Sequence, residues 1–260
     1  MRLISYNVNS IGARLPRLMA LIERLEPDVV CVQETKCTPP KFPHLPLEGI
    51  GYVAADHSGG RWAGVAVIAR RQLGVEDVRV GLPGEAVPDE ARWVEATVDG
   101  VRCVSTYVPN GQALGTEAFA QKLTFLEAMS ARAAELAHLP TVIAGDMNVC
   151  PTDRDVWNPD QVHGATHITD DERTRLQAVV DTGYVDSFRR LHPEEPGFTW
   201  WDYRAGHFHK GYGLRIDLAL VSSPLAERLE AAEVSRAFRK PTTVPESKPS
   251  DHAPLVIDFS

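Results

Sequence analysis

The chain has 260 residues, 43% of them hydrophobic and 24% charged, with a formal net charge of −8. These values are ordinary for a soluble globular protein with a sizeable core. They exclude a wholly basic coat that holds nucleic acid by bulk charge, but leave room for a local basic strip around an acidic, metal-neutralised centre.

Leu3 to Asn7 reads as a strand, and Met1-Arg2 leads straight into it, leaving no room for a signal peptide. Apolar residues at Leu15, Leu18, Met19, Ile22 and Leu25 are spaced three and four apart, which predicts a helix with Pro16 tolerated in its first turn. Pro27-Asp28 ends it, Val29 to Gln33 is the next strand, and Pro39 to Pro46 a proline-rich loop. Ala63 to Ala69 and Trp93 to Val98 are strands, and Asp99-Gly100 turns the chain back along Val101 to Tyr107 as an antiparallel hairpin. Thr116 caps a long helix with an apolar face of Phe119, Leu123, Leu126, Met129, Ala133 and Leu136. Thr141 to Ala144 is a buried strand closed by Gly145-Asp146-Met147-Asn148. Pro151 to His167 is an ordered loop, and Asp170 caps a helix to about Asp181. Phe198 to Tyr203, Leu214 to Val221 and Leu255 to Phe259 are the remaining strands, with a polar loop from Arg204 to Gly213. Strands and helices are mixed, without repeat or low-complexity linker, so a single α/β domain over residues 1–260 is expected, two packed sheets with outer helices. No apolar run approaches the ~18 residues of a membrane helix, and a cytoplasmic protein without membrane contact is expected. Cys31, Cys37, Cys103 and Cys150 form no C-x-x-C pair and read as reduced thiols rather than a zinc site or disulfide framework.

Polar groups of one kind recur at the strand ends. Asn7, Glu34 and Asp251 offer oxygen without sulfur, a set that suits magnesium or manganese better than zinc. Asp217 stands in a largely apolar strand, where a carboxylate is costly without a partner, and His252 is the natural one. A carboxylate that orients an imidazole raises its pKa, and the imidazolium suits a phosphorane-like transition state. Asp146 and Asn148, two apart, share a face if the strand continues, one to take a proton from water and the other to hold that water or a phosphate oxygen. The alternative for Gly145-Asp146-Met147-Asn148 is a plain Asx-turn. Tyr107 and Asn110 end another strand as candidate phosphate donors. His207, His209 and Lys210 share a loop with Arg204; no cysteine or carboxylate completes a metal set, which leaves contact with an anionic substrate or an ordinary solvated loop.

In this order the segments resemble the exonuclease III family of abasic-site DNA endonucleases. The matching stretches are Asn7 to Ile11, Gln33 to Lys36, Tyr107 to Gly111, Gly145 to Val149, Phe198 to Arg204, Leu214 to Asp217 and Lys248 to Pro254. The resemblance implies a four-layer α/β sandwich with one metal-dependent site at the sheet edge. It implies Glu34 as main metal ligand with Asn7 and Asp251 beside it; one ion or two is left open, since Asp146 and Asn148 could bind a second. It further implies Asp146 in proton transfer, Asn148 orienting water and phosphate, His252 backed by Asp217, and Tyr107 and Asn110 on phosphate. Asn9 stands where some relatives carry aspartate. Trp200, Leu214 and Ile216 match a pocket for a base-less sugar, which would reject normal nucleotides by exclusion. Arg61, Arg204, Lys210 and Arg215 are the candidate contacts to DNA phosphates.

The function so implied is magnesium-dependent hydrolysis of the phosphodiester 5′ to an abasic site in duplex DNA, with 3′→5′ exonuclease and 3′-phosphatase work in the same site, by a monomer. The rivals are a phosphoesterase of the same superfamily acting on RNA or a small phosphate ester, and a non-catalytic DNA-binding module. The latter should have lost one of Glu34, Asp146, Asn148, Asp217 or His252, and all are present.

Overall fold

The computed structural model describes residues 1–162 and 164–260. Among these, twelve strands form two six-stranded sheets. The first runs in spatial order β11 (Leu229–Val234), β12 (Leu255–Phe259), β1 (Arg2–Asn7), β2 (Val29–Gln33), β4 (Val65–Arg70) and β3 (Tyr52–His57). The second runs β5 (Glu76–Val80), β6 (Trp93–Val98), β7 (Val101–Tyr107), β8 (Thr141–Asp146), β10 (Asp217–Ser222) and β9 (Tyr184–Asp186). Each sheet has one parallel pair at its centre, β1 with β2 and β7 with β8.

The period-two rule of strands decides what lies between the sheets. Val29 and Cys31 of β2, Val65, Val67 and Ala69 of β4, Cys103 of β7, Val142 and Ala144 of β8, and Ala219 and Val221 of β10 form the inner core. The alternate residues point outward under helices. Val30, Val32 and Ile68 pack with Leu18, Leu21 and Ile22 of α1 (Ile11–Leu25). Val104, Ile143 and Leu220 pack with residues of α3 (Glu117–Leu136) and α5 (Asp170–Asp181). Helix, sheet, sheet and helix make the four layers. Shorter helices α2 (His44–Gly49), α4 (Pro159–Val162), α6 (Ser187–Leu191), α7 (His207–Lys210) and α8 (Ser223–Ala226) sit in the connections.

Several elements differ from expectation. The segment 198–203 is no strand. Both Thr199 N and Trp200 N donate to the single carbonyl of Leu214, so no ladder propagates, and Trp200 makes only isolated bridges to Leu214 and His252. Strand β10 starts at Asp217 rather than Leu214, because Arg215 N is taken by Asp155 O. Thr169, not Asp170, caps α5, in a reciprocal box with Glu172. The proline-rich loop holds a turn of 3₁₀ helix and α2. All four cysteines are free thiols. Among the described residues, no helix is long and apolar enough to cross a membrane.

Two register relations set the site. β7 and β8 end together, with Tyr107 opposite Asp146, and antiparallel β10 begins with Asp217 opposite that same Asp146. β1 and β2 end together, with Asn7 opposite Gln33. The C-terminal edges of both parallel pairs therefore meet at one rim.

Candidate active site

Asn7 joins the two sheets at that rim. Its Nδ2 donates to Glu34 Oε1 at 2.8 Å and to Asp146 Oδ2 at 3.0 Å. Its Oδ1 accepts from Asn9 N at 3.0 Å, which directs the amide nitrogen at the two carboxylates. Glu34 follows β2 in a left-handed conformation (φ 54°), its turn held by Thr35 N donating to Gly64 O.

Behind this pair, His252 Nδ1 lies 2.8 Å from Asp217 Oδ2, and His252 Nε2 lies 3.8 Å from Asp146 Oδ2. Burial opposes a charge on the imidazole, but Asp217, then Asp146 and Asp251, outweigh it and hold the pKa at about 10. The ring is therefore an imidazolium at neutral pH. Burial pushes Asp146 up to about 8, with Asp217 and Glu34 adding to the rise against the pull of His252.

Asn148 lies beyond β8 in the left-handed region (φ 50°), so it does not share a strand face with Asp146. The Asx-turn forms instead: Asn148 N donates to Asp146 Oδ1 at 2.9 Å. Asn148 Nδ2 donates to Val108 O at 2.9 Å and its Oδ1 accepts from Asn110 Nδ2 at 3.3 Å. The two amides thus span the ends of β8 and β7. Tyr107 has its ring under Arg92, whose guanidinium carbon is 4.8 Å from the centroid. Burial, then Glu34 and Asp146, push its phenol well above the ordinary range, so it stays a proton-bearing donor.

A cavity of about 180 Å³ opens among Glu34, Tyr107, Asn110, Asp146, Asn148, His167, Trp200, Ile216, Asp251 and His252. Trp200 Nε1 donates to Asp251 Oδ2 at 3.1 Å, and Asn9 Nδ2 to Asp251 Oδ1 at 2.9 Å. Ile216 and Trp200 form the apolar wall, while Leu214 packs behind them with Cys150 and Val156. His167 was missed in the sequence: no strand pattern or motif marks it, and only a loop return brings it to the wall.

Carboxyl oxygens of Glu34 and Asp146 and a nitrogen of His252 lie within 4.8 Å of one another, close enough to share one ion. The imidazolium has no lone pair to offer, which leaves oxygen donors. That set, with two like charges converging on one amide, fits a hard divalent cation. Asn7 presents nitrogen to the pair, while each oxygen of Asp251 accepts a protein donor and keeps a lone pair facing the same rim. Lys36 Nζ contacts Glu34 Oε2 at 2.5 Å and Asn9 Oδ1 at 2.8 Å.

Of the candidate phosphate contacts, Arg61, Arg204 and Lys210 are exposed. Arg215 is not available. It is 1% exposed, with Nε on Asp155 Oδ1 at 2.6 Å and Nη1 on Asp186 Oδ2 at 2.8 Å, a buried ion-pair network rather than a DNA contact. The sequence could not show this, because both carboxylates arrive from distant segments. Trp62, beside Arg61, is 73% exposed, an aromatic surface that sequence reading did not single out.

Residues 4–252 match the endonuclease/exonuclease/phosphatase family. The chain is 33% identical over 274 residues to exodeoxyribonuclease III of Haemophilus influenzae, covering 100% of both. Among solved structures, it is similar to a 3′ phosphatase from Neisseria bound to a product DNA hairpin (TM-score 0.94, 35% identity, 100% of this chain and 99% of that one). It is likewise similar to an AP endonuclease from Archaeoglobus fulgidus (TM-score 0.93, 33% identity, 100% and 99% covered).

Proposed function

The chain belongs to the endonuclease/exonuclease/phosphatase family, and on that premise we propose that it is a magnesium-dependent DNA repair nuclease that cuts 5′ to abasic sites and trims blocked 3′ ends. The observation that carries this reading is the convergence of Glu34, Asp146 and the His252–Asp217 pair on one cavity flanked by amide donors. A magnesium ion held by Glu34 and Asp146, with manganese as substitute, would polarise the phosphate and stabilise the leaving oxygen.

The remaining work falls to side chains. His252, held charged by Asp217, donates from Nε2 to a phosphate oxygen as negative charge builds there. Asp146, its proton displaced once a cation is bound, would take the proton of the attacking water. Asn148 and Asn110 orient the water and the phosphate, and Tyr107 donates its phenolic proton to a phosphate oxygen. Trp200 and Ile216 receive the bare sugar, where a base would have to fit against an apolar wall. The neighbour described as a 3′ phosphatase supports 3′-end work in the same centre.

Three duplexes test the proposal: one with a single tetrahydrofuran abasic analogue, one ending in a 3′-phosphate, and an intact control, each with magnesium and with chelator. Incision at the analogue and phosphate release, both abolished by chelator, are expected. Loss of only one of the two narrows the substrate to the other. No phosphoester cleavage of any duplex with magnesium or manganese overturns the reading.

A further inference from the structure

Lys122 lies on α3, outside the cavity, yet it is fully buried and holds the loops that carry Asn110 and Asn148. Its ammonium donates to Asn148 O at 2.6 Å, Asn110 O at 3.2 Å and Thr166 Oγ1 at 3.1 Å, and pairs with Glu172 of α5. Glu172 also receives His167 N and Thr169 N, so one ion pair ties three loops together. Gly111 shows how tightly: a Cβ there would meet Lys122 Cδ at 2.9 Å and Thr166 Oγ1 at 3.1 Å, and its φ of 85° already requires glycine. The close approach brings the Asn110 carbonyl within reach of the ammonium.

A buried lysine–glutamate pair is a weak source of stability, since desolvation of both charges offsets their attraction. What this pair supplies is position. Asn148 sits in a left-handed conformation that asparagine tolerates but does not favour, and the ammonium fixes its carbonyl. The same ammonium fixes the carbonyl of Asn110, whose side chain donates to that of Asn148. We propose that Lys122, through Glu172, is a positioning residue that sets the Asn110–Asn148 amide pair against the reacting phosphate. This rests on the catalytic reading above, in which those amides orient water and phosphate.

The test is a double-mutant cycle on the wild-type substrate, with Lys122→Met, Asn148→Ala and the pair together. Lys122→Met keeps the stem and removes the ammonium. A displacement of about 1 Å at such amides costs roughly 100-fold, so kcat should fall by about 10- to 100-fold with KM within roughly threefold. Acting through Asn148, the lesion should add little to Asn148→Ala, the double variant lying within about threefold of Asn148→Ala alone. If Lys122→Met does not fold, Lys122→Arg carries the same cycle. It keeps the charge, but its planar fork does not suit acceptors placed for a compact ammonium. Effects that multiply in full, or a folded variant with wild-type kcat, overturn the assignment. The comparison is with wild type throughout, so a wild type inactive on every DNA phosphoester sinks the catalytic reading instead. Backbone amide resonances of Val149 and Gly111 give a readout without turnover. They should move in Lys122→Met, and unmoved resonances overturn the positioning role.

Discussion

Asp217 Oδ2 stands 2.8 Å from His252 Nδ1, with the two residues 1% and 3% exposed. So enclosed, the carboxylate acts on the imidazole without competition from solvent, and it sets how far into alkali the ring keeps its proton. Asp217→Asn removes that charge and should lower kcat by at least ~100-fold at neutral pH, as loss of a preorganised charge commonly does. The pH profile gives the sign. The wild-type ring stays protonated until about pH 10, whereas the variant ring, losing its largest support, should titrate far lower and shed activity as pH rises through that point. An alkaline limb unchanged by the substitution would show that His252 does not act as a cation.

Cation binding should be linked to protons. In the metal-free protein Asp146 is pushed up to about 8 by burial, so near neutrality it carries a proton that an incoming cation must displace. Affinity should climb as pH rises from roughly 6 to 9 and level off above, with proton release visible by calorimetry in buffers of different ionisation enthalpy. Asp146→Asn should remove this linkage and lower turnover by at least ~100-fold. A pH-independent affinity would place the ion elsewhere.

The arginines and lysines should separate into two kinds. Arg61, Arg204 and Lys210 are exposed, and replacing each by alanine should reduce the salt slope of DNA affinity by about 1 if it meets a phosphate. Arg215→Ala should leave that slope alone and cost stability instead, about 3–5 kcal/mol, since Asp155 and Asp186 lose their buried partner. Denaturant melts beside salt-titrated binding curves distinguish the two. A normal melt with a shallower slope would return Arg215 to the DNA face.

Acid stability should report on Glu172. Burial opposes its charge, but Lys122, with Thr169 and the His167 amide, overcomes this and depresses its pKa to about 2. Burial lowers the pKa of Lys122 more than Glu172 raises it, yet Lys122 stays charged throughout acid conditions, so only the carboxylate titrates there. A depressed carboxylate stabilises the fold above its unfolded pKa of about 4.3, and that contribution is lost as pH falls from there through about 2. Glu172→Gln should flatten the pH dependence of unfolding in this window. A variant that follows the wild-type curve would show that the pair contributes nothing to acid sensitivity.

Central strands were legible in the sequence, β1, β2, β4, β6 and β7 because burial on both faces writes apolar runs into the chain, and β12 because its burial alternates. Edge strands were not. β5 is exposed throughout, β9 is three residues long, and in β11 a register shift breaks the alternation of Leu229, Ala232 and Val234, which face the core, so none has a regular pattern to read. The site residues followed the same division: those ending readable strands could be named, and His167, reached only through a loop, could not.

The sequence by itself determined which polar groups close the core strands, since side-chain period and turn chemistry act over a few residues. Only the tertiary structure decided what each of them meets. Asn7 finds Asp146 across 139 positions, Arg215 is withdrawn from solvent by Asp155 from 60 positions away, and Lys122 reaches Glu172 across 50. These pairings depend on how two sheets close on each other, and no local propensity encodes the direction in which a charged side chain leaves its own element.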